Sequence, residues 1–387
     1  MTALLYLALF WLPLSVAFLK IEVAGATVTL YVALLLLLTF PTAARYLRNA
    51  RRNRLAYSDL SLLAVNAIMV GHTILGSDAY KYVHGLLMPS VSYFVVRELI
   101  QSKRQLRLVI LSAVGGGAVF GIIYVVTFFR SGAAVRIDVF ERDAIAAGTI
   151  AAFMICMLLI PNITSGAIRW LGRLLAYTML AATLSRGYVV TMIVVPLLWW
   201  RGWHKRMLAF VVAGMVFTLL ITVVAIGNVN AFKPEKWEPE LENSVERLYN
   251  VDYWKNGIYG RLFTFVPALK EFESSPVFGG GWQDDMEGGG STVHNFHLEW
   301  LASVGLVGYL LIIAFVVRHF EGTRQLGAVK PYVTANLYFV LVVLLNGLTN
   351  GVMHGVMPYL MFISLGLTAA AARIDETNQS VARRRAT

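Results

Sequence analysis

Residues 108–128 read LVILSAVGGGAVFGIIYVVTF, a stretch of the chain without a single charged side chain. An α-helix rises about 1.5 Å per residue, so a helix of this length crosses the roughly 30 Å hydrocarbon core of a bilayer. Basic residues flank the stretch, with Lys103, Arg104 and Arg107 before it and Arg130 after it. The stretch therefore predicts a membrane-spanning helix and not the core of a water-soluble domain.

The composition of the whole chain agrees with this stretch. Of the 387 residues, 58% are hydrophobic and 14% are charged, and the mean hydropathy is +0.65. Soluble domains carry about 25% charged residues. Continuous apolar runs exclude a soluble enzyme, a disordered chain and an outer-membrane barrel, whose strands would alternate. The one cysteine, Cys156, lies in an apolar run and excludes a disulfide scaffold; we interpret it as a small buried apolar residue.

The apolar runs predict an all-α polytopic membrane protein with twelve spans. The predicted spans are 3–19, 23–40, 57–75, 82–99, 108–128, 144–161, 170–184, 187–200, 207–227, 294–317, 332–348 and 352–372. The chain then divides into nine helices over 1–227, a large external loop over 228–293, three helices over 294–372 and a basic tail over 373–387. The first run lacks a basic leader, which favours an uncleaved helix over a signal peptide.

The basic residues set the predicted orientation. With both termini in the cytoplasm, 21 of the 33 Lys and Arg residues are cytoplasmic, six lie in short external loops and six lie in the large loop. This bias follows the positive-inside rule. It also accounts for the net charge of +11 without a nucleic-acid partner.

The large loop, 228–293, is the one long hydrophilic insertion. Residues 258–272 form a predicted short amphipathic helix, and the glycine-rich turns of 276–281 and 288–290 follow it. Loops of this length are usually functional or disordered, and its aromatic residues favour a folded, functional loop.

Three residues on the predicted external face are candidates for chemistry. Arg186 lies at a short turn between two apolar runs, Arg261 lies on the loop helix, and His294 opens the tenth span. Guanidinium groups bind phosphate oxygens in bidentate fashion, and a histidine can take a proton from a hydroxyl. The alternatives remain open: an interfacial arginine, a solvated loop arginine and a helix-end histidine bonded to backbone.

Other polar groups receive plainer interpretations. We expect His297, one turn after His294, to be structural. A metal site from the two histidines with Asp284 and Asp285 fits no closed zinc pattern, and two arginines could supply the positive charge instead. Basic residues also fill one short external loop, at Arg130, Arg136 and Arg142. That loop either meets acidic glycans or lipid headgroups or is simply solvated.

Several motifs in this order carry a family resemblance. They are the Ser185-Arg186-Gly187 turn, Arg261 on its external helix, the PVFGGG turn of Pro276–Gly281, His294-Asn295, Leu298-Glu299 and Gly305-Leu306-Val307-Gly308. The set resembles the O-antigen ligase and polymerase superfamily of bacterial envelope glycosyltransferases. The motif-bearing match covers 255–318, and the twelve-span layout extends it more loosely to the whole chain.

The resemblance implies a GT-C-type, inverting glycosyltransferase of the bacterial inner membrane that acts on the periplasmic face without a metal, cofactor or nucleotide sugar. Its donor would be a glycan on undecaprenyl pyrophosphate, and its acceptor a sugar hydroxyl of lipid A–core or, in a polymerase, a second lipid-linked repeat unit. By motif matching, Arg186 and Arg261 bind the pyrophosphate and His294 is catalytic. The supporting residues would be Asn295, Gly279, Gly281 and Glu299.

The clustered external arginines and the strongly basic chain favour the ligase over the polymerase, which uses the same donor. Related members act on other polysaccharides or on proteins. A lipid-linked-glycan transporter would show charges deep within several spans, broken helices near mid-membrane and often internal repeats. The span interiors of this chain are nearly free of charge, its notable ionisable residues gather at one face, and we identify no internal repeat. A structural scaffold offers no reason for the arginine and histidine set. We expect a monomer surrounded by membrane lipids.

Overall fold

The computed structural model describes most of the predicted helical regions. The described residues are 1–14, 20–23, 26–50, 57–77, 79–131, 144–183, 187–188, 192, 265, 268–282, 295–321, 329–348 and 356–386. Long helices dominate these residues, which confirms the predicted helical class for this part of the chain.

Eleven α-helices, one π-helical turn and one β-hairpin are bounded within the described residues. The helices are α1 (Thr2–Trp11), α2 (Leu30–Ala50), α3 (Tyr57–Ile74), α4 (Ala79–Tyr82), α5 (Met88–Leu99), α6 (Lys103–Arg130), α7 (Ala144–Met157), α8 (Gly166–Ala182), α9 (Phe296–Glu321), α10 (Lys330–Asn346) and α11 (Val356–Ala386). The π-helical turn, Val83–Leu87, joins α4 to α5. A further short helical segment covers 268–274.

The hairpin corrects one predicted span. Strands β1 (Lys20–Val23) and β2 (Ala26–Thr29) pair antiparallel, and α2 begins only at Leu30, whereas the predicted span began at residue 23. The β-branched residues of IEV and ATVT favour strands, and Gly25, a residue type common in turns, lies between them in the sequence. High hydrophobicity alone did not distinguish this hairpin from a helix.

Three of the helices are long and apolar enough to cross a membrane: Lys103–Arg130, Phe296–Glu321 and Val356–Ser380. The first contains residues 108–128, the stretch without charged side chains that was predicted to span the membrane. Shorter apolar helices overlap other predicted spans, whereas the span 207–227 and most of 187–200 lie outside the described residues. The count of twelve spans and the orientation of the termini stay predictions.

Two features mark the packing of the helices: small residues let some backbones approach closely, and one helix is buried along its whole length. α1 packs on α6, where a Cβ on Gly116 would lie 1.9 Å from the carbonyl oxygen of Phe10. Glycine therefore lets the two backbones touch, as in many membrane helix pairs. α7 is buried along its whole length and packs against α6, α8, α10 and α11.

A buried ionic cluster, formed by Asp59, Arg97, Glu98 and Arg373, joins α3, α5 and α11. Arg97 bonds Asp59 through Nη1, and its Nε lies 3.0 Å from Oε1 of Glu98. Arg373 Nη1 lies 3.3 Å from the second oxygen of Glu98. The side chains of Asp59 and Glu98 are only 4% and 2% exposed. Charges this deeply buried are stable only when they are paired, as they are here.

Aromatic side chains complete the surroundings of this cluster. The Arg97 guanidinium lies over the rings of Tyr46, Tyr93 and Phe94, at 5.2–5.6 Å from their centroids. The Tyr93 hydroxyl lies 3.3 Å from Asp59 Oδ1 and 3.2 Å from Nε2 of His319 on α9. The cluster and its aromatic neighbours thus link α2, α3, α5, α9 and α11.

Candidate functional site

Helix α9 is broken at Gly305, close to the end that carries the predicted catalytic motif. Gly305 has φ +66° and ψ −175°, so the helix stops and restarts there. In an unbroken helix, the N–H of Leu306 would donate to the carbonyl of Ala302, four residues earlier. The N–H of Val307 would likewise donate to the carbonyl of Ser303. The break therefore frees two carbonyls and two N–H groups.

The glycine loop, residues 276–282, supplies a partner for each freed carbonyl. The N–H of Gly280 donates to Ala302 at 3.0 Å, and the N–H of Gly281 donates to Ser303 at 3.0 Å. Burial of an unpaired backbone carbonyl would be costly, so these bonds stabilise the break.

The same loop accepts from both freed N–H groups. Leu306 donates to the carbonyl of Pro276 at 2.9 Å, and Val307 donates to the carbonyl of Val277 at 3.1 Å. Two hydrogen bonds that a continuous helix would make are therefore absent at the break. Four hydrogen bonds between the loop backbone and the helix backbone replace them. The loop and the helix are thus joined by these four backbone hydrogen bonds, and we call this joined unit the clasp.

Glycine is required on both sides of the clasp. Gly279 and Gly281 both have φ +78°, a region that residues with a Cβ avoid. A Cβ on Gly279 would lie 2.4 Å from the carbonyl carbon and oxygen of Ser303, and one on Gly305 would lie 2.4 Å from the N of Gly279. The structure therefore brings the PVFGGG and GLVG motifs of the sequence into direct backbone contact.

We expect Gly279→Ala to lower the free energy of unfolding by about 2–4 kcal/mol, because left-handed strain and overpacking each cost on the order of 1–3 kcal/mol. Thermal unfolding of the purified protein in detergent measures the change. Gly71→Ala is the matched control, since a Cβ there meets nothing within 4 Å and Gly71 lies in a helix. Equal stability of the two variants would contradict the clasp.

The end of α3 covers the other side of the glycine loop. His72 Nε2 lies 2.8 Å from the carbonyl oxygen of Phe278. A Cβ on Gly281 would lie 2.7 Å from Cβ of Ser77, so the loop backbone also passes close to the residues that end α3. Trp282, the next residue, is buried at 2% exposure. The loop is therefore held between α3 and α9.

The start of α9 is fixed by Asn295 and by the end of α10. Asn295 Oδ1 accepts from the N–H of Leu298 at 3.0 Å, which makes Asn295 the N-cap of α9. Its Nδ2 donates to the carbonyl of Leu348 at 3.3 Å, and the N–H of Phe296 donates to Gly347 at 2.9 Å. The residue next to His294 in the chain is therefore anchored twice.

His297 and Glu299 continue this first turn inside the protein. His297 is buried and its Nε2 donates to the carbonyl of Leu344 at 2.9 Å, as expected for a structural histidine. Glu299 is 8% exposed, and its backbone carbonyl accepts from the hydroxyl of Ser303 at 2.8 Å. The turn that follows His294 thus connects through Ser303 to the clasp.

The three residues expected to act on substrate, Arg186, Arg261 and His294, lie outside the described residues, as do Asp284 and Asp285. Tyr188, two residues after Arg186 in the chain, is buried, bonds the Thr149 hydroxyl on α7 and lies 3.8 Å from Met357 Sδ on α11. Of the predicted site residues, the structure describes the four that were expected to be supporting, and we refer to them as the frame: Asn295, Gly279, Gly281 and Glu299.

Two features were missing from the sequence interpretation. His72 was not a candidate, although it is a lone imidazole near the end of an apolar run. The acidic members of the ionic cluster, Asp59 and Glu98, were not singled out, and its two arginines, Arg97 and Arg373, were counted only among the 21 basic residues predicted to be cytoplasmic. In the part of the chain that the structure describes, no group of three or more His, Cys, Asp or Glu side chains is arranged to hold a metal ion.

No protein-family model matches this chain, and no curated protein matches it. The assignment of a function therefore depends on the motifs and on the geometry of the frame that carries them.

Proposed function

We propose that this chain is an O-antigen ligase-like glycosyltransferase of the bacterial inner membrane. The observation that carries the proposal is the clasp: the PVFGGG turn and helix α9 with its GLVG motif, two separate parts of the family pattern, bond to each other through four backbone hydrogen bonds. This contact gives a physical reason for both glycine motifs to occur together in one chain.

The reaction is a single displacement at the anomeric carbon of the donor glycan. The acceptor hydroxyl of lipid A–core attacks that carbon as the bond to undecaprenyl pyrophosphate breaks, which inverts its configuration. His294 accepts the hydroxyl proton, since an imidazole titrates near neutrality. Arg186 and Arg261 stabilise the negative charge that grows on the departing pyrophosphate. The reaction needs no redox partner, and the leaving group keeps both bonding electrons.

The described frame suits this chemistry because it limits motion next to the base. The N-cap Asn295 fixes the first turn of α9, and the clasp fixes the same helix ten residues later. Catalytic groups work best when rigid neighbours hold them near the reacting atoms. The loop between 228 and 293 would cover the sugar, while apolar helices hold the polyprenyl tail in the bilayer.

The broken helix also bears on the transporter alternative. In many transporters, broken helices use freed backbone groups to bind the substrate or ion. Here the freed groups of Ala302, Ser303, Leu306 and Val307 are all bonded by the glycine loop. This break therefore favours a structural support for a site over a transport site.

Purified protein in detergent tests the proposal. The probe is lipid A–core mixed with a glycan on undecaprenyl pyrophosphate, without nucleotide sugar and without a membrane gradient. We expect glycan to move to lipid A–core and undecaprenyl pyrophosphate to be released in equal amount. Glycan lengthening on the lipid carrier alone would favour a polymerase. Absence of any transfer by folded protein would contradict both.

A further inference from the structure

His72 and the glycine loop are joined by one side-chain hydrogen bond across 206 positions of sequence. Nε2 of His72 lies 2.8 Å from the carbonyl oxygen of Phe278. A carbonyl oxygen only accepts, so the imidazole N–H is the donor. On the α9 side the loop is held by backbone bonds, whereas on the α3 side, among the described residues, this imidazole is the one side chain that donates to the loop backbone.

The backbone of His72 is held by the hydrogen bonds that cap the end of α3. This cap keeps the imidazole within reach of the Phe278 carbonyl. α3 ends in a left-handed Gly76 at φ +105°. The N–H of Ser77 donates to the carbonyl of His72 at 3.0 Å, and the N–H of Gly76 donates to Thr73 at 3.2 Å. This pair of bonds is the Schellman arrangement, which stabilises helix ends. The backbone carbonyl of His72 therefore takes part in the C-terminal cap of α3, and its imidazole ring bonds the glycine loop.

Burial of the loop's own side chains does not explain why the loop lies against α3 near Phe278. Val277 and Phe278 are each 53% exposed, so neither anchors the loop by burial. The α3 helix has no free backbone donor in its interior, because helical N–H groups bond within the helix. A side chain from α3 is therefore needed to reach Phe278, and His72 provides it.

We propose that His72 is a positioning residue for glycan transfer: by holding the Phe278 carbonyl, it fixes the glycine loop against α3 and so fixes the clasp that the loop makes with α9. Its effect on transfer rests on the function proposed above, whereas the contact itself does not. The role can therefore be tested with one readout that needs activity and one that does not.

The first test compares four variants in the purified transfer reaction. His72→Ala should lower kcat by about fivefold to tenfold, the loss of one neutral hydrogen bond, with KM for the donor changed less. His72→Gln should restore kcat, because a glutamine amide nitrogen reaches the position of Nε2. His72→Asn should not, since its nitrogen reaches only the position of Nδ1. Thr73→Val should behave as the parent, because its hydroxyl bonds only within α3, to Met69.

The second test follows the loop directly. A spin label on Val277→Cys reports the motion of the loop, and the native Cys156 is fully buried, so a sample without the new cysteine gives the background. We expect His72→Ala to raise the label's mobility and His72→Gln to restore it.

Equal label mobility in the alanine and parent proteins would overturn the contact. Raised mobility with an unchanged kcat would overturn the positioning role. A parent protein that transfers no glycan would contradict the proposed function, and the spin label would still decide whether His72 holds the loop.

Discussion

The His294→Ala variant is expected to lose about a hundredfold to ten-thousandfold of the rate of glycan transfer, the range supplied by a general base. The loss should fall on kcat, because the imidazole acts only as the acceptor hydroxyl attacks. Initial rates with purified protein at saturating donor measure it. Near-normal transfer by a well-expressed variant would contradict the assignment of the base.

A neighbouring histidine provides the matched control. His297 donates to the carbonyl of Leu344 from a buried position. His297→Gln keeps an N–H group at the position of Nε2. We therefore expect the rate of transfer to stay within about threefold of the parent rate, a smaller change than the loss of one hydrogen bond would cause. Arg186→Ala and Arg261→Ala, made separately, should each cost about a hundredfold, because each removes one stabilising charge from the departing pyrophosphate.

The Arg97→Leu variant is expected to lose about 3–5 kcal/mol of stability, the cost of leaving buried partner charges unpaired. Arg97 is the only cation of the ionic cluster that contacts Asp59, and it also contacts Glu98, whose second oxygen lies 3.3 Å from Arg373. Removing it leaves the buried carboxylate of Asp59 without a cation among the residues that the structure describes. Thermal unfolding in detergent, followed by circular dichroism, measures the loss.

An exposed arginine gives the comparison for this prediction. Arg318 pairs with Glu321 at 3.4 Å, and the two side chains are 61% and 52% exposed. Exposed pairs contribute about 0–1 kcal/mol, so Arg318→Leu should change stability little. The double variant Arg97→Leu with Asp59→Asn should recover part of the loss, because the unpaired charge is gone. Equal effects of the two arginine variants would show that the cluster is not a buried network.

Sequence patterns predicted the elements whose signal is local. Hydrophobic runs were sufficient for α6, α9 and α11, since span length and the lack of charge are local properties. The hairpin of 20–29 was missed because a short apolar run fits a strand or a helix equally well. The glycine-rich turn was predicted as a turn, from composition alone.

Contacts between distant segments were not predictable from one sequence. The GLVG motif of Gly305 was noted, but glycine inside an apolar run does not reveal a break until a partner for the freed backbone is known. Asp59 meets Arg97 across 38 positions, and Arg373 meets Glu98 across 275. Each charge looks like an ordinary flanking charge in the sequence, and only packing pairs them.

The most direct test of the central claim uses a bacterial strain that lacks this gene. Its envelope glycolipids are separated on a gel, and its undecaprenyl-linked pool is extracted alongside. We predict lipid A–core without O-antigen, together with long glycans that accumulate on undecaprenyl pyrophosphate. Lipid A–core that carries a single repeat would reassign the protein as the polymerase. Unchanged lipopolysaccharide with an unchanged undecaprenyl-linked pool would contradict the account.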